Sequence, residues 1–167
     1  MLAAATRRTI QELVTAKKHL PGALLPILHD IQDAVGYVPP EAVSDIAAAL
    51  NLSRAEVHGV ISFYHHFRSE PAGRNVMQIC RAEACRAMGS ERLWTHACGR
   101  LSMDAAHADG AATAHGVTSV DGAFTLQPVY CLGLCSSSPA MALNDKVHAR
   151  VDEDKFDALV AAARSVA

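Results

Sequence analysis

The sequence has little net charge, few aromatic side chains and no long apolar run. Its 167 residues carry a net charge of −2, and aromatic side chains make up 5% of them. This balance gives no electrostatic basis for binding nucleic acid or an anionic membrane surface. No stretch approaches the roughly 18 apolar residues that a membrane span requires, so we expect a soluble protein with no membrane partner.

Several sequence motifs are also missing. The chain has no Gly-x-Gly-x-x-Gly turn, no Walker lysine loop and no Gly-x-Ser-x-Gly elbow. These absences argue against a nucleotide site and against a hydrolytic nucleophile. We therefore expect the chain alone to have no catalytic residues, no substrate site and no nucleotide site.

The first residues do not predict an export signal. Arg7-Arg8 could begin a twin-arginine signal, but the residues that follow contain no apolar segment and predict an amphipathic helix. We expect a cytoplasmic protein, and structural disulfides are rare in a reducing cytosol. Five cysteines in such a chain need another explanation.

Residues 1–68 predict a helical bundle. Apolar residues recur at intervals of three and four, Gly36 ends the second helix, and Ser53 with Glu56 has the capping-box spacing that begins the fourth. We expect this domain to serve as a docking module because it contains no candidate ligand set.

The fourth helix is expected to continue into an aromatic group of Phe63, Tyr64 and Phe67. Such a group is more typical of a core or an interface than of a cofactor site. His65 and His66 lie within it, and adjacent helical residues face different directions, which argues against both binding one metal.

Residues 69–74 are rich in turn formers and predict a linker, and residues 75–167 predict a second domain. The order of elements there is β-α-β-β-β-β-α, with helices over 86–101 and after Asp152 and a loop over 102–116. The fold class is therefore α/β: a helical bundle followed by a domain in which two helices pack on a mixed sheet.

Two cysteine pairs stand out. Four residues separate Cys80 from Cys85, 45 residues follow, and three residues separate Cys131 from Cys135. Each pair comes in a loop directly after a predicted strand, so a sheet could bring four thiolates to one edge. Iron–sulfur clusters need this arrangement of soft ligands on rigid loops.

Other interpretations of the cysteines stay open on spacing alone. A structural zinc also takes two pairs of cysteines, and the four could be unrelated, whereas a redox disulfide would favour Cys-x-x-Cys, which is absent. Arg81 and Arg86 are positioned to offset the charge of an anionic cluster. Cys98 differs, because it shares the apolar face of a helix with Trp94 and is expected to be a packing residue.

A resemblance to a known family rests on longer motifs. These are Cys131-Leu132-Gly133-Leu134-Cys135 with the later Pro139, the segment Leu24–Asp33, and the segment Asn51–Val57. They resemble the thioredoxin-like [2Fe-2S] subunit family of respiratory NADH dehydrogenases. The resemblance implies a helical bundle joined to a thioredoxin-like ferredoxin domain, with one [2Fe-2S] cluster bound by Cys80, Cys85, Cys131 and Cys135.

Two finer features are similar to one branch of that family, the gamma subunit of soluble molybdenum-containing NAD-dependent formate dehydrogenases. They are the segments Cys80–Cys85 and Phe63–Phe67. This likeness implies a beta subunit that binds FMN and NAD, an alpha subunit with a molybdenum cofactor, and further iron–sulfur clusters in those partners. The chain would then be a non-catalytic electron-transfer subunit.

Other functions are compatible with parts of the sequence. The equivalent subunit of an NADH:quinone oxidoreductase or of an NAD-linked hydrogenase would share the fold. Residues 41–66 also have the outline of a helix-turn-helix, which would suit an iron–sulfur redox-sensing regulator, but its second helix offers few phosphate contacts. A structural zinc protein is the remaining alternative.

Overall fold

The computed structural model describes residues 2–103 and 116–165. It divides the chain into two compact units, Met1–Pro71 and Ala72–Ala167, at a point within the predicted linker. Most of the loop expected over 102–116, including His107 and His115, lies outside the described residues.

The first unit is helical, as its apolar periodicity predicts. Its helices are α1 (Ala4–Lys17), α2 (Leu24–Val35), a short 3₁₀ turn (Pro40–Ala42), α3 (Val43–Leu50) and α4 (Arg54–Phe63). Gly36 ends α2 with φ 89° and Asn51 ends α3 with φ 54°, both in the left-handed region. The predicted capping box begins α4, because the Glu56 N–H donates to Ser53 Oγ at 3.2 Å and its carboxylate accepts from the Ser53 N–H at 2.8 Å.

The end of α4 differs from the prediction. The helix stops at Phe63, and Phe67 is only 1% exposed in the core of the helical unit, whereas Phe63 is 75% exposed. The buried amide of Gln32 explains the change of direction. Its Nε2 donates to the His66 carbonyl at 2.7 Å, and its Oε1 accepts from the Arg68 N–H at 2.7 Å. The aromatic group is thus divided between core and surface.

The second unit contains a five-stranded mixed sheet. Its elements are β1 (Asn75–Cys80), α5 (Glu83–Ala87), α6 (Ser90–Arg100), β2 (Val117–Thr118), β3 (Phe124–Val129), β4 (Met141–Leu143), β5 (Lys146–His148) and α7 (Glu153–Ser165). The strand order is β2-β3-β1-β4-β5. β1 and β3 are parallel and the other neighbouring pairs are antiparallel. The predicted fold class, α/β with a mixed sheet, is confirmed.

The prediction of a single helix over 86–101 is wrong in detail. The structure has two helices, α5 and α6, because Gly89 adopts φ 96° between them. The first cysteine pair is also not in a loop, because Cys80 is the last residue of β1 and Cys85 lies in α5. The last helix begins as predicted, since Asp152 Oδ1 accepts from the Lys155 N–H at 2.8 Å.

The core of this unit lies between the sheet and the helices α6 and α7. Its large buried members are Met77, Ile79, Leu93, Trp94, Phe124, Leu126, Met141 and Phe156. Cys98 is 1% exposed within the same cluster, which confirms its predicted packing role. Within the described residues, no helix is long and apolar enough to cross a membrane.

Candidate metal centre

The two cysteine-bearing segments begin at adjacent points of the sheet. β1 ends at Cys80 and β3 ends at Val129, and these residues are partners in the parallel register. Just beyond the strands, the Arg81 N–H donates to the Val129 carbonyl at 2.8 Å. The carboxyl ends of parallel strands form the usual ligand-binding edge of such sheets. The fold therefore starts both segments from one edge.

The first pair of thiols is buried. Cys80 and Cys85 are each 2% exposed and pack with Ala140 in a small apolar cluster. Besides burial, interaction with the Cys85 thiol contributes to raising the pKa of Cys80. The Cys80 N–H donates to the Ala140 carbonyl at 3.0 Å, and the Sγ of Cys85 lies 3.5 Å from the Oγ of Ser138. Main chain and side chain thus fix this pair away from solvent.

The second pair is exposed. Cys131 and Cys135 lie on the surface. The Gly133 N–H donates to Cys131 Sγ at 3.3 Å. Cys131 has φ 144° and Gly133 has φ 75°, so the segment uses a backbone region that only glycine adopts freely. The hydrogen bond and the repulsion between the two sulfurs raise the pKa of Cys135.

Burial and hydrogen bonding have opposite effects on the pKa values of the first pair of thiols. Burial raises the pKa of the Cys80 thiol. Burial also tends to raise the pKa of Cys85, but hydrogen bonds from Ser138, the Ala140 N–H and Cys80 outweigh it and lower the pKa. The Ser138 hydroxyl has one proton, which it donates to the Cys135 carbonyl at 2.8 Å. Donation to a Cys85 thiolate therefore requires that hydroxyl to turn away from the carbonyl.

The four thiols are arranged as two pairs. A negative charge on Cys85 raises the pKa of Cys135, so the pairs are close enough to interact electrostatically. In residues 2–103 and 116–165, no three His, Cys, Asp or Glu side chains meet as a site for one metal ion. A [2Fe-2S] cluster has two irons and four thiolate ligands, which fits two pairs. One tetrahedral zinc needs four donors around one point.

Backbone N–H groups also point at the sulfurs. Hydrogen bonding from the Ala82 and Leu132 N–H groups acts to lower the pKa of the Cys80 thiol, against the larger effect of burial. Leu132 belongs to the segment of the exposed pair, so this bond joins the two segments. Hydrogen bonds to cluster sulfurs are among the factors that set a reduction potential. Sequence reasoning missed these contacts because any residue type can supply a main-chain donor.

The two arginines near the first pair are placed differently from the expectation. The Arg81 guanidinium forms two hydrogen bonds with the Glu91 carboxylate and lies over the Trp94 ring. The pKa of Glu91 is lowered by these hydrogen bonds. Arg86 Nε is 4.0 Å from Glu91, and its side chain is 69% exposed. The expectation that Arg81 offsets cluster charge is corrected, since its charge is already paired with Glu91.

The histidines noted in the sequence are not gathered into a metal site within the described residues. His66 packs its ring against His29 and Phe67, with centroids 5.3 and 6.0 Å away. His65 and His66 follow α4 in a turn and do not belong to the helix. The helical unit therefore has no set of metal ligands among its described side chains.

The chain matches a known protein family along most of its length. The profile of the thioredoxin-like [2Fe-2S] ferredoxin family matches residues 10–164. This chain belongs to that family. Membership supports the [2Fe-2S] interpretation of the two thiol pairs and extends over both units.

Two curated relatives are similar along most of their length. The chain is 33% identical to an NADH-quinone oxidoreductase subunit of Rhizobium meliloti over 158 residues, 93% of this chain and 88% of the relative. It is 31% identical to NADH-quinone oxidoreductase subunit 2 of Thermus thermophilus over 144 residues, 86% and 74% of the two chains.

A solved structure shares the fold. The crystal structure of NAD+-reducing [NiFe]-hydrogenase in the H2-reduced state aligns with a TM-score of 0.67 and 22% identity. The alignment covers 85% of this chain but only 22% of the hydrogenase chain. At this identity the likeness establishes the fold alone.

Proposed function

We propose that this chain is an electron-transfer subunit of an NAD-linked oxidoreductase complex, with one [2Fe-2S] cluster bound by Cys80, Cys85, Cys131 and Cys135. The observation that carries the proposal is the placement of two thiol pairs at the ends of the parallel strands β1 and β3. Family membership supplies the identity of the cluster.

The four proposed ligands would hold the cluster between a buried side and an exposed side. Cys80 and Cys85 bind from a dry apolar cluster, and Cys131 and Cys135 bind from the surface. A [2Fe-2S] cluster, when bound, accepts and releases one electron at a time. Tyr130 is 72% exposed beside the surface pair, so an electron-transfer partner can approach there without opening the fold.

A flavin subunit is the partner that this chemistry requires. Reduction of NAD needs a two-electron hydride donor, and a flavin converts between hydride and single-electron steps. We propose that a neighbouring beta subunit binds FMN and NAD and exchanges electrons with this chain. Both named relatives are subunits of NADH-quinone oxidoreductases, which supports an NADH-linked complex.

The finer assignment is to a cytoplasmic formate dehydrogenase with a molybdenum-containing alpha subunit and further iron–sulfur clusters. It rests on the segments Cys80–Cys85 and Phe63–Phe67. An NADH:quinone oxidoreductase or an NAD-linked hydrogenase is equally supported, because the relatives and the solved structure carry those names. The metal content of the copurified complex separates them: molybdenum with formate-dependent NAD reduction supports the first, and nickel or quinone reduction supports one of the others.

Stopped-flow mixing with NADH tests the electron-transfer role. The lone chain is expected to show no rapid cluster reduction, and the chain with its flavin subunit is expected to show bleaching and the EPR signal of a reduced [2Fe-2S] cluster. Rapid reduction of the lone chain would reveal a nucleotide site in it. That result would contradict the proposal that NADH reacts only with the flavin subunit.

The helical unit is proposed to dock the flavin subunit through Phe63 and Tyr64, which are 75% and 43% exposed. Exposed aromatic side chains often supply most of the binding energy of an interface. Replacing both by Ser should weaken coelution with the flavin subunit by about tenfold or more. Leu20→Ser is the control because Leu20 is 40% exposed in the same unit. Equal binding by the aromatic variant and the control would rule out this surface.

A further inference from the structure

Arg81 lies directly after Cys80, and its side chain makes a shielded ion pair with α6. Its Nε is 3.0 Å from Glu91 Oε1 and its Nη2 is 2.5 Å from Oε2. The Arg81 side chain is only 15% exposed. A two-point guanidinium–carboxylate pair fixes orientation as well as distance, which a lysine ammonium does not.

The same guanidinium rests on the core of the sheet unit. Arg81 Cζ is 4.8 Å from the centre of the Trp94 ring, and Trp94 is 3% exposed among the apolar residues of α6 and the sheet. Glu91 and Trp94 are both part of α6. The side chain of Arg81 is therefore held from two directions by one rigid helix.

The main chain of Arg81 connects this anchor to both thiol pairs. Its N–H donates to the Val129 carbonyl at 2.8 Å, two residues before Cys131. On its other side, the Ala82 carbonyl accepts from the Arg86 N–H at 2.8 Å, one residue beyond Cys85. A shift of the Arg81 backbone would displace the buried pair and the start of the segment that carries the exposed pair.

We propose that Arg81 is a positioning residue, which fixes the two thiol pairs at the spacing that the cluster needs by tying their segments to Glu91 and Trp94 of α6. The inference rests on the proposed function, since it assumes that these four thiols hold the cluster. Groups that hold metal ligands in place typically change metal affinity by about 10–100-fold when removed.

Arg86 provides a matched control. It is also an arginine within the first thiol segment, next to Cys85, and it approaches the same Glu91 carboxylate at 4.0 Å. Its side chain is 69% exposed, and it makes no close two-point contact. Replacing Arg86 removes the same charge from the same region but leaves the contacts of Arg81 with α6 intact.

The test compares the full chain with Arg81→Met, Arg81→Lys, Glu91→Gln and Arg86→Met after anaerobic cluster assembly. We expect iron release to an added chelator to be about tenfold faster in Arg81→Met and nearly unchanged in Arg86→Met. The EPR line shape of the clusters that remain should change in Arg81→Met. Arg81→Lys should restore the line shape only in part, because Lys keeps the positive charge beside Glu91 but not the two-point contact that fixes orientation. Glu91→Gln should be intermediate.

The outcomes separate this inference from the proposed function. If the unaltered chain assembles no iron–sulfur cluster, the proposed function fails. If the unaltered chain assembles it and Arg81→Met matches Arg86→Met in iron release and EPR line shape, the cluster assignment stands and the positioning role is overturned. If Arg81→Met does not fold, Arg81→Lys and Glu91→Gln decide, and wild-type release and line shape in both would also overturn the role.

Discussion

The two cysteine pairs of the sheet unit have opposite surroundings. Cys80 and Cys85 are 2% exposed, surrounded by apolar side chains and backbone donors. Cys131 and Cys135 are exposed on a segment that depends on left-handed backbone angles. A single candidate metal-binding edge therefore combines a buried half with a solvent-facing half.

This contrast separates two requirements of an electron-transfer site. The buried half fixes ligand geometry, because hydrogen bonds from different elements hold each residue. The exposed half leaves the proposed cluster reachable from solvent, because Cys131 and Cys135 are exposed. Substitutions on the two halves should consequently have different effects.

The largest effect is expected from removing any of the four thiols. Replacing Cys80, Cys85, Cys131 or Cys135 by Ser should abolish or strongly alter the visible absorption and the reduced-state EPR signal, because a cluster needs all four soft ligands. Cys98→Ser is the control for a cysteine outside the site, and it should keep both signals. A full signal in any of the four variants would remove that residue from the ligand set.

In the cluster-free chain, substitutions in the two cysteine pairs should change the free energy of unfolding by different amounts. Cys80→Ser and Cys85→Ser put a hydroxyl into an apolar cluster and should lower the free energy of unfolding by about 1–3 kcal/mol. Cys131→Ser and Cys135→Ser should stay within about 0.5 kcal/mol because these side chains are exposed. Urea unfolding measures both. Equal losses of stability for the two pairs would contradict the difference between a buried pair and an exposed pair.

Much of the fold is predictable because local signals agree with it. The Ser53–Glu56 capping box and the left-handed Gly36 each act within a few residues. The positions of the four cysteines, at or beyond the ends of β1 and β3, are likewise visible in the sequence. The assignment of these four cysteines as cluster ligands is a proposal, which the Cys→Ser variants test.

The contacts that sequence reasoning missed are long-range. Glu91 pairs with Arg81 across ten residues, and Gln32 holds the segment around Phe67 across more than thirty. Neither contact has a characteristic spacing, because the fold brings together residues from different elements. The helix break at Gly89 was missed because glycine inside a helical pattern is tolerated often enough to be ambiguous.

A smaller effect should follow from changing the backbone freedom of the exposed half. Gly133→Ala should lower the free energy of unfolding by about 1–2 kcal/mol, since φ 75° is strained for alanine although nothing lies within 4 Å of its Cβ. Gly99→Ala is the control, a helical glycine of the same unit with equal space and no positive φ. It should be neutral or stabilising. Gly133→Ala behaving like the control would contradict the strained geometry of the exposed half.

The smallest effect concerns acid stability near the buried half. Arg81 lowers the pKa of Glu91 in the folded chain, so the unfolded chain binds a proton first as the pH falls. The contribution of Glu91 is present above its unfolded pKa of about 4.3 and is lost as the pH falls through the lower folded value. Glu91→Gln should therefore show a weaker loss of stability between about pH 6 and about pH 3 in urea unfolding. An unchanged pH dependence would mean that the pair contributes no measurable stability.

Metal and sulfide analysis of the anaerobically prepared full chain, together with EPR after reduction, tests the central claim most directly. The two thiol pairs predict iron and acid-labile sulfide in equal amounts and the signal of a reduced [2Fe-2S] cluster. Zinc without acid-labile sulfide, and no such signal, would contradict the cluster assignment.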